Sequence, residues 1–341
     1  MHVRAFASNA LHALAAAVVC VGVAGCSGNE SRQGKVEALD VDVELIRGPR
    51  GGIIDIPVRL SFAERVVVTY VPPGGDPTPA WRNHLHWFDL EQRQLEQLPL
   101  PARRDCRATS HDSARALPDG RVAYLEECWR QDVPRDAKRL RAYDPRTHKV
   151  SDLRPYALPV GASHYAFDPT GRRAIINDGN GLYERLHWLG GAGLVALDLE
   201  FERVGYPAWS HDGRSIAVDA VPPGAKASGV SRADLPRDLY LLGRDGSIRR
   251  KLLHDLTSVG ASSWSPDNRW LALPLDPRDG PAGLYLVDTA SGVLRLLRTG
   301  EDFGGSVWLD RRTLLVATGL FVQIARDGRS SGLYRIEIRD P

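Results

Sequence analysis

Trp264-Ser-Pro-Asp-Asn-Arg-Trp-Leu-Ala, residues 264–272, sets a large aromatic residue, a two-residue turn signal and an arginine directly before an apolar run. Asp-Asn, like Asp-Gly, tolerates the positive φ of a tight hairpin, so the stretch reads as two antiparallel strands joined by a short turn. Four segments repeat it: Ala116-Leu-Pro-Asp-Gly-Arg-Val-Ala, Phe167-Asp-Pro-Thr-Gly-Arg-Arg-Ala, Trp209-Ser-His-Asp-Gly-Arg-Ser-Ile-Ala and Trp308-Leu-Asp-Arg-Arg-Thr-Leu-Leu. The turn residues Gly120, Gly171, Gly213 and Asn268 are 51, 42 and 55 positions apart. That interval suits a unit of four short strands. The recurring Trp or Phe is expected to pack between neighbouring units.

Working outward, a second family of segments follows the hairpins: Leu85-His-Trp-Phe-Asp-Leu, Leu140-Arg-Ala-Tyr-Asp-Pro, Leu194-Val-Ala-Leu-Asp-Leu, Leu239-Tyr-Leu-Leu-Gly-Arg, Leu284-Tyr-Leu-Val-Asp-Thr and Leu333-Tyr-Arg-Ile-Glu-Ile. Their first residues are 55, 54, 45, 45 and 49 positions apart, which makes six repeats. The hairpin missing from the first repeat is supplied by residues 53–60 and 65–70, a degenerate copy of the kind terminal repeats show. A fourth strand follows in every repeat but the last. Val36 to Ile46 is an unassigned alternating run, expected to complete that last repeat. The chain is therefore predicted to be all-β over residues 36–341: a six-bladed β-propeller with four-stranded antiparallel blades, its ring closed by the N-terminal strand.

Trp209 to Arg214 and Trp264 to Arg269 resemble the Trp-Ser-Pro-Asp-Gly-Arg motif of the TolB-like propellers, a WD40-like repeat family, with one departure each, His211 and Asn268. The resemblance covers roughly residues 36 to 341. It implies the propeller fold and interaction with envelope proteins, and it implies no activity, because the matching residues build hairpins.

Residues 1–25 have a basic start at Arg4, an apolar stretch and small residues at the end, the form of a secretory signal peptide. Val23-Ala24-Gly25-Cys26 resembles a bacterial lipobox, which makes Cys26 the expected lipidation site; an ordinary secretory signal containing a cysteine is the alternative. Two or more acyl chains, palmitate among them, would hold such a protein stably at a membrane. Residues 26–35 read as a flexible tether. The expected location is outside the cytoplasm, lipid-anchored to a bacterial membrane on its periplasmic or outer-surface side. Cys106 and Cys128 permit one disulfide in an exported protein, or remain two buried thiols. With 44 basic and 42 acidic residues spread along the chain, nothing marks a nucleic-acid partner.

Function is expected on the face carrying the long connections, residues 72–83, 126–139, 177–193, 219–238, 274–282 and 318–331. These hold Trp81, Trp129, Tyr183 and Trp188, aromatic anchors of the type common in interfaces, which would otherwise pin the loops to the blades. His111, Asp112, Ser163, His164, Tyr206, Ser262 and Asp302 stand at the entrances to the inner strands and are expected to converge on a channel mouth. No catalytic residues are assigned: Ser110-His111-Asp112 has triad residue types, but sequence neighbours do not reach triad geometry, and no Gly-x-Ser-x-Gly elbow occurs. No cofactor and no metal is assigned either. The leading expectation is a monomeric, non-enzymatic scaffold of the cell envelope that binds a protein, a cell-wall component or a ligand. The alternative is a metal-assisted uronate lyase using His84, His86, His111 and His164.

Overall fold

The computed structural model describes residues 36–48, 53–60, 65–71, 84–101, 103–106, 108–129, 138–159, 161–178, 185–225, 235–300, 303–318 and 331–339. The expected signal peptide, tether and Cys26 lie outside them, as do Trp81, Tyr183 and Asp302. The described residues are all-β. Three four-stranded antiparallel sheets follow in chain order. Group I holds Ile53–Arg59, Val66–Val71, His84–Phe88 and Leu95–Gln97. Group II holds Ala108–Ala116, Val122–Trp129, Arg139–Asp144 and Lys149–Asp152. Group III holds Tyr165–Phe167, Ala174–Asn177, Leu186–Leu189 and Leu194–Ala196.

The fourth and fifth repeats are joined in one ten-stranded sheet. Group IV contributes Arg203–Val204, Ala208–Trp209, Ser215–Val221 and Arg237–Gly243; group V contributes Ser263–Trp264, Trp270–Pro277, Gly283–Asp288 and Leu294–Thr299. The link is the 12-residue strand Ile248–Val259, whose first part pairs with Arg237–Gly243 and whose end, from Leu256, pairs with Trp270–Pro277. Separate blades were expected here. One continuous strand instead serves as the outer edge of one repeat and the entry to the next.

Group VI consists of Phe303–Trp308, Thr313–Thr318 and Gly332–Ile338, and its fourth strand is Val41–Arg47, paired antiparallel from Val41 opposite Ile338 to Arg47 opposite Gly332. The N-terminal run expected to form that strand is divided. Glu37–Ala38 leaves it and pairs parallel with Arg295 and Leu296 of group V. The amide of Leu39 extends this pairing to the Leu296 carbonyl at 3.0 Å. Between the two pairings, Arg339 forms ion pairs with Asp40 and Asp42, each at 3.0 Å.

The first strands of the groups touch in order: Ile53–Arg59 lies against Ala108–Ala116, which lies against Tyr165–Phe167, then Ala208–Trp209, Ser263–Trp264 and Phe303–Trp308, and this last lies against Ile53–Arg59. Between successive groups lies an apolar layer. Ala174 and Ile176 face group II while Ile175 faces group IV; Leu271 and Leu273 face group IV while Trp270 and Ala272 face group VI. This is strand alternation used twice, since both faces of each sheet are buried. Ile46, Leu315 and Leu333 of group VI share their layer with Ile54, Val66 and Phe88 of group I.

The repeated motif explains the joints. In four of the five turns an Asp accepts the amide two residues on: Asp119 from Arg121 at 3.1 Å, Asp212 from Arg214 at 3.0 Å, Asp267 from Arg269 at 3.1 Å and Asp310 from Arg312 at 2.7 Å. Gly213 and Asn268 follow with φ of 69° and 62°. The motif Trp of one group bonds the group before it: Trp264 Nε1 donates to Ala208 O at 2.9 Å, and Trp308 Nε1 to Ser263 O at 3.3 Å. The two residues that depart from the motif meet one another's turns. Asn268 Oδ1 accepts the His211 amide at 2.6 Å, and His211 Nε2 lies 3.1 Å from Trp264 O.

In group III the third strand is Leu186–Leu189, not the segment beginning at Leu194. Val195 on that segment is 59% exposed, so it forms the outer edge, and the spacing of apolar residues pointed one strand too far.

Cys106 and Cys128 are joined by a disulfide with a Cα separation of 5.4 Å. It ties the chain entering group II to the end of that group's second strand across 22 residues. Reduction, or Cys106→Ala with Cys128→Ala, is expected to cost about 3 kcal/mol through loop-closure entropy. Urea unfolding with and without reductant measures it; coincident midpoints would contradict that contribution.

Candidate functional site

The described rim residues divide into two places. Between groups I and II, the His111 ring lies 5.8 Å from that of His84 and 5.4 Å, edge on, from Tyr124. His111 is 4% exposed and its Nε2 has no hydrogen-bond partner among the described residues. Burial, then the charges of His84 and Arg141, pushes its imidazole down to about 4. Opposite it in register, Glu126 is wholly buried and paired with Arg141 at 3.1 Å.

The second place spans groups II, III and IV. Asp112 follows His111, and past it the pairing with Val122–Trp129 slips in a β-bulge. Ser113 in the bulge has a φ of 54°, a left-handed conformation on a buried, non-glycine residue. Bulges re-aim side chains, and backbone of this kind persists only where its surroundings hold it. Here the holding is visible: Ser113 Oγ donates to Ser163 O at 2.7 Å and Arg115 Nε to Tyr165 O at 3.2 Å, both across to group III. Asp112 Oδ1 has no hydrogen-bond partner among the described residues. Burial pushes its carboxyl above the ordinary range, opposed by Lys138, the neighbouring Ser113 and Arg115.

His164 feels the same two cations. Burial, then Arg115 and Lys138, pushes its imidazole down to about 3, and its Nδ1 has no hydrogen-bond partner among the described residues. The Tyr206 ring lies against it, tilted by 44°, with centroids 3.9 Å apart. Lys138 is 8% exposed, and its ammonium is 4.0 Å from the Glu127 carboxylate.

Tyr206 is set in place by buried polar groups that sequence reasoning missed. Its amide donates to Asp219 Oδ1 at 2.8 Å, the Gly205 amide donates to the Asp219 carbonyl at 2.8 Å, and Asn177 Nδ2 donates to Val204 O at 2.8 Å. Asp219 is 1% exposed and paired with Arg237. Burial raises its carboxyl, opposed by Arg237 and the Tyr206 amide. A Cβ on Gly205 would collide with that carboxylate, so glycine is required there. The Gly-Tyr-Pro interruption of the first strand was the only available sign.

Other expectations are corrected. Trp188 lies in the strand Leu186–Leu189, not in a loop; its ring packs 6.1 Å from Trp209 and carries Arg173 at 4.4 Å, so it fills the joint between groups III and IV. Trp129 ends the strand Val122–Trp129 rather than standing in a connection, and its side chain is outside the description. The four histidines do not converge on one point: His86 turns to Tyr70 at 5.0 Å and His164 to Tyr206. Among the described residues, the metal-capable group found is Asp105, Cys106 and Cys128, whose two sulfurs are taken up by the disulfide.

The class these features define is an all-β protein of repeated strand groups with a partly accessible polar set where first strands meet. No protein-family model and no curated protein matches the chain. Among solved structures, TolB from Acinetobacter baumannii is similar at 16% identity and a TM-score of 0.49 over 71% of this chain; the match spans 53%, about half, of that chain. An oligogalacturonate lyase in complex with manganese is similar at 12% identity and a TM-score of 0.47, over 90% of this chain and 98% of that one.

Proposed function

We propose that the protein is an exported lipoprotein of the bacterial cell envelope, held by lipid on Cys26, whose six strand groups form the blades of a closed propeller acting as a non-enzymatic binding scaffold. The ring reading is supported by the cyclic order of first strands and by the apolar layer that group VI shares with group I. Export is supported by the leader that ends at Cys26 and by the Cys106–Cys128 disulfide, which persists in oxidising compartments. The observation that carries the binding reading is the pair of orphaned polar atoms, Asp112 Oδ1 in group II and His164 Nδ1 in group III, two groups joined by the Ser113 to Ser163 hydrogen bond, with Tyr206 tilted against His164. Buried polar atoms without a partner are costly, and a ligand or partner that supplies hydrogen bonds offsets that cost.

Growth with an alkyne-tagged palmitate is expected to label the wild-type protein and place it in the membrane fraction, with Cys26→Ser unlabelled and soluble. Equal labelling and partition of the two would overturn the anchor. Mild crosslinking followed by affinity capture is expected to recover an envelope protein or cell-wall material; recovery of background alone would overturn a macromolecular partner.

A further inference from the structure

We propose that the outer rim of groups III, IV and V, on the side of the motif turns, docks on a membrane surface carrying anionic headgroups. This rests on the lipid anchor proposed above and adds the face that the anchor brings down. Among the described residues, the large apolar side chains left exposed are Val195, Ile248 and Val293, at 59%, 49% and 54%. All three stand where an outer strand starts, after the turn that leads into it: Leu194–Ala196, Ile248–Val259 and Leu294–Thr299. Single exposed apolar residues are ordinary, whereas a row of them along one rim marks an interaction surface. Neighbouring groups meet along this rim. A Cβ on Gly246 of group IV would lie 2.7 Å from Leu197 and 3.2 Å from Trp188 of group III, and one on Gly292 of group V would lie 2.8 Å from the Leu252 carbonyl of the preceding outer strand. Arg250 in that strand donates to the carbonyls of Ala290 and Ser291 in the group V turn. The Thr289 amide donates to the Arg269 carbonyl at 2.9 Å, which puts this turn beside the Asp-Asn turn of its own group.

What covers the rim follows from where the chain enters the fold. Glu37 lies opposite Arg295 in parallel register, so the chain arrives at the turn end of Leu294–Thr299. Val36 packs there with Leu252 and Leu294, in the joint between the outer strands that begin at Ile248 and beside Val293. Ten residues separate Cys26 from Val36, a reach of about 35 Å at full extension. A lipid on Cys26 therefore keeps the bilayer close to this rim. Charge agrees with that occupant. Arg244, Arg249 and Arg250 are exposed around Ile248. The carboxylates of the same turns are engaged locally: Asp245 accepts the Ser247 amide at 3.2 Å and its hydroxyl at 2.8 Å, and Asp288 accepts the amides of Ala290 at 3.0 Å and Ser291 at 2.8 Å. Arginines interleaved with apolar side chains next to an anchor add attraction to anionic lipid and shallow insertion. The opposite end of the groups, where second and third strands connect, is then left for a partner.

The test uses the lipidated protein reconstituted into vesicles of phosphatidylethanolamine and phosphatidylglycerol, with a nitroxide-headgroup lipid as quencher. A fluorophore is attached at Ile248→Cys, at Val293→Cys or, as the control in the exposed connection at the opposite end of group V, at Asp279→Cys. Quenching at the two rim positions is expected to exceed that at the control about threefold or more. Arg244→Glu with Arg249→Glu should remove most of that difference while the protein still floats with the vesicles, because the lipid continues to hold it. Far-UV circular dichroism confirms that each variant is folded. The proposal is overturned if rim and control labels quench alike, or if the charge-reversed variant keeps the full difference. Flotation separates the two readings: protein that does not float removes the anchor and the docking with it, whereas protein that floats with all labels quenched alike removes the docking alone. Rim labels that stay unquenched, together with loss of partner capture in Ile248→Asp, would assign the rim to a protein and overturn the proposal.

Discussion

Asp219→Ala is expected to lower stability by about 4 kcal/mol, because breaking one side of a buried ion pair strands the other charge. Arg237 would lose the carboxylate it is built around, and the Tyr206 amide would lose its acceptor. For a domain of this size the melting temperature should fall by about 8 °C. The double substitution Asp219→Leu with Arg237→Leu should recover part of that loss, since an apolar pair leaves no buried charge unanswered. Thermal denaturation of the single and double variants measures both effects. A single variant that melts with the wild type would show that the pair does not hold the turn at Gly205 and Tyr206.

Acidification is expected to have a comparable effect through His111 and His164, held down to about 4 and about 3 in the fold. An unfolded chain returns both to about 6.5, so between those values the unfolded state binds more protons and stability falls as pH falls. The contribution is intact above about pH 6.5; at pH 5 each histidine has lost about 2 kcal/mol. The groups facing His164 are Arg115, Lys138 and Tyr206, and those facing His111 are His84, Arg141 and Tyr124, so the charges nearest both rings are mainly cationic. His86, also lowered by burial, adds in the same direction. Urea midpoints at pH 7.5 and pH 5 measure the loss, and His111→Gln with His164→Gln should flatten the difference. A pH response unchanged in that double variant would place the acid sensitivity elsewhere.

Much of the fold was legible because its punctuation is chemical. The Asp-Gly and Asp-Asn turns name their own backbone conformation, and the apolar third strands recur beside them. Where the outcome differed, local pattern was outvoted by pairing. Leu194 looks like the start of a third strand, yet Leu186 to Leu189 has the neighbours. Val36 to Ile46 looks like one strand, yet its first residues find a better partner in Leu294–Thr299. Of the candidate site, Asp112, His164 and Tyr206 were readable from their positions at strand entrances. Lys138, Asp219 and Arg237 were not, since a charge inside a long connection looks solvated until its partner from another segment is seen. The bulge at Ser113 left no mark either, because serine carries no signal for a left-handed backbone.

The division of the N-terminal stretch between groups V and VI bears on the order in which the chain can fold. Val41–Arg47 is synthesised well before Gly332–Ile338, and the Arg339 to Asp42 contact closes over 297 positions. A nascent chain can complete groups I to III from neighbouring segments as they emerge. Group VI and the apolar layers on its two sides have to wait for Gly332–Ile338, with Leu39, Val41 and Val43 uncovered in the meantime. Closing so long a loop is slow. The interval before closure is therefore when this protein is most exposed to misassembly, and the same seam that finishes the native sheet sets the pace at which it is reached.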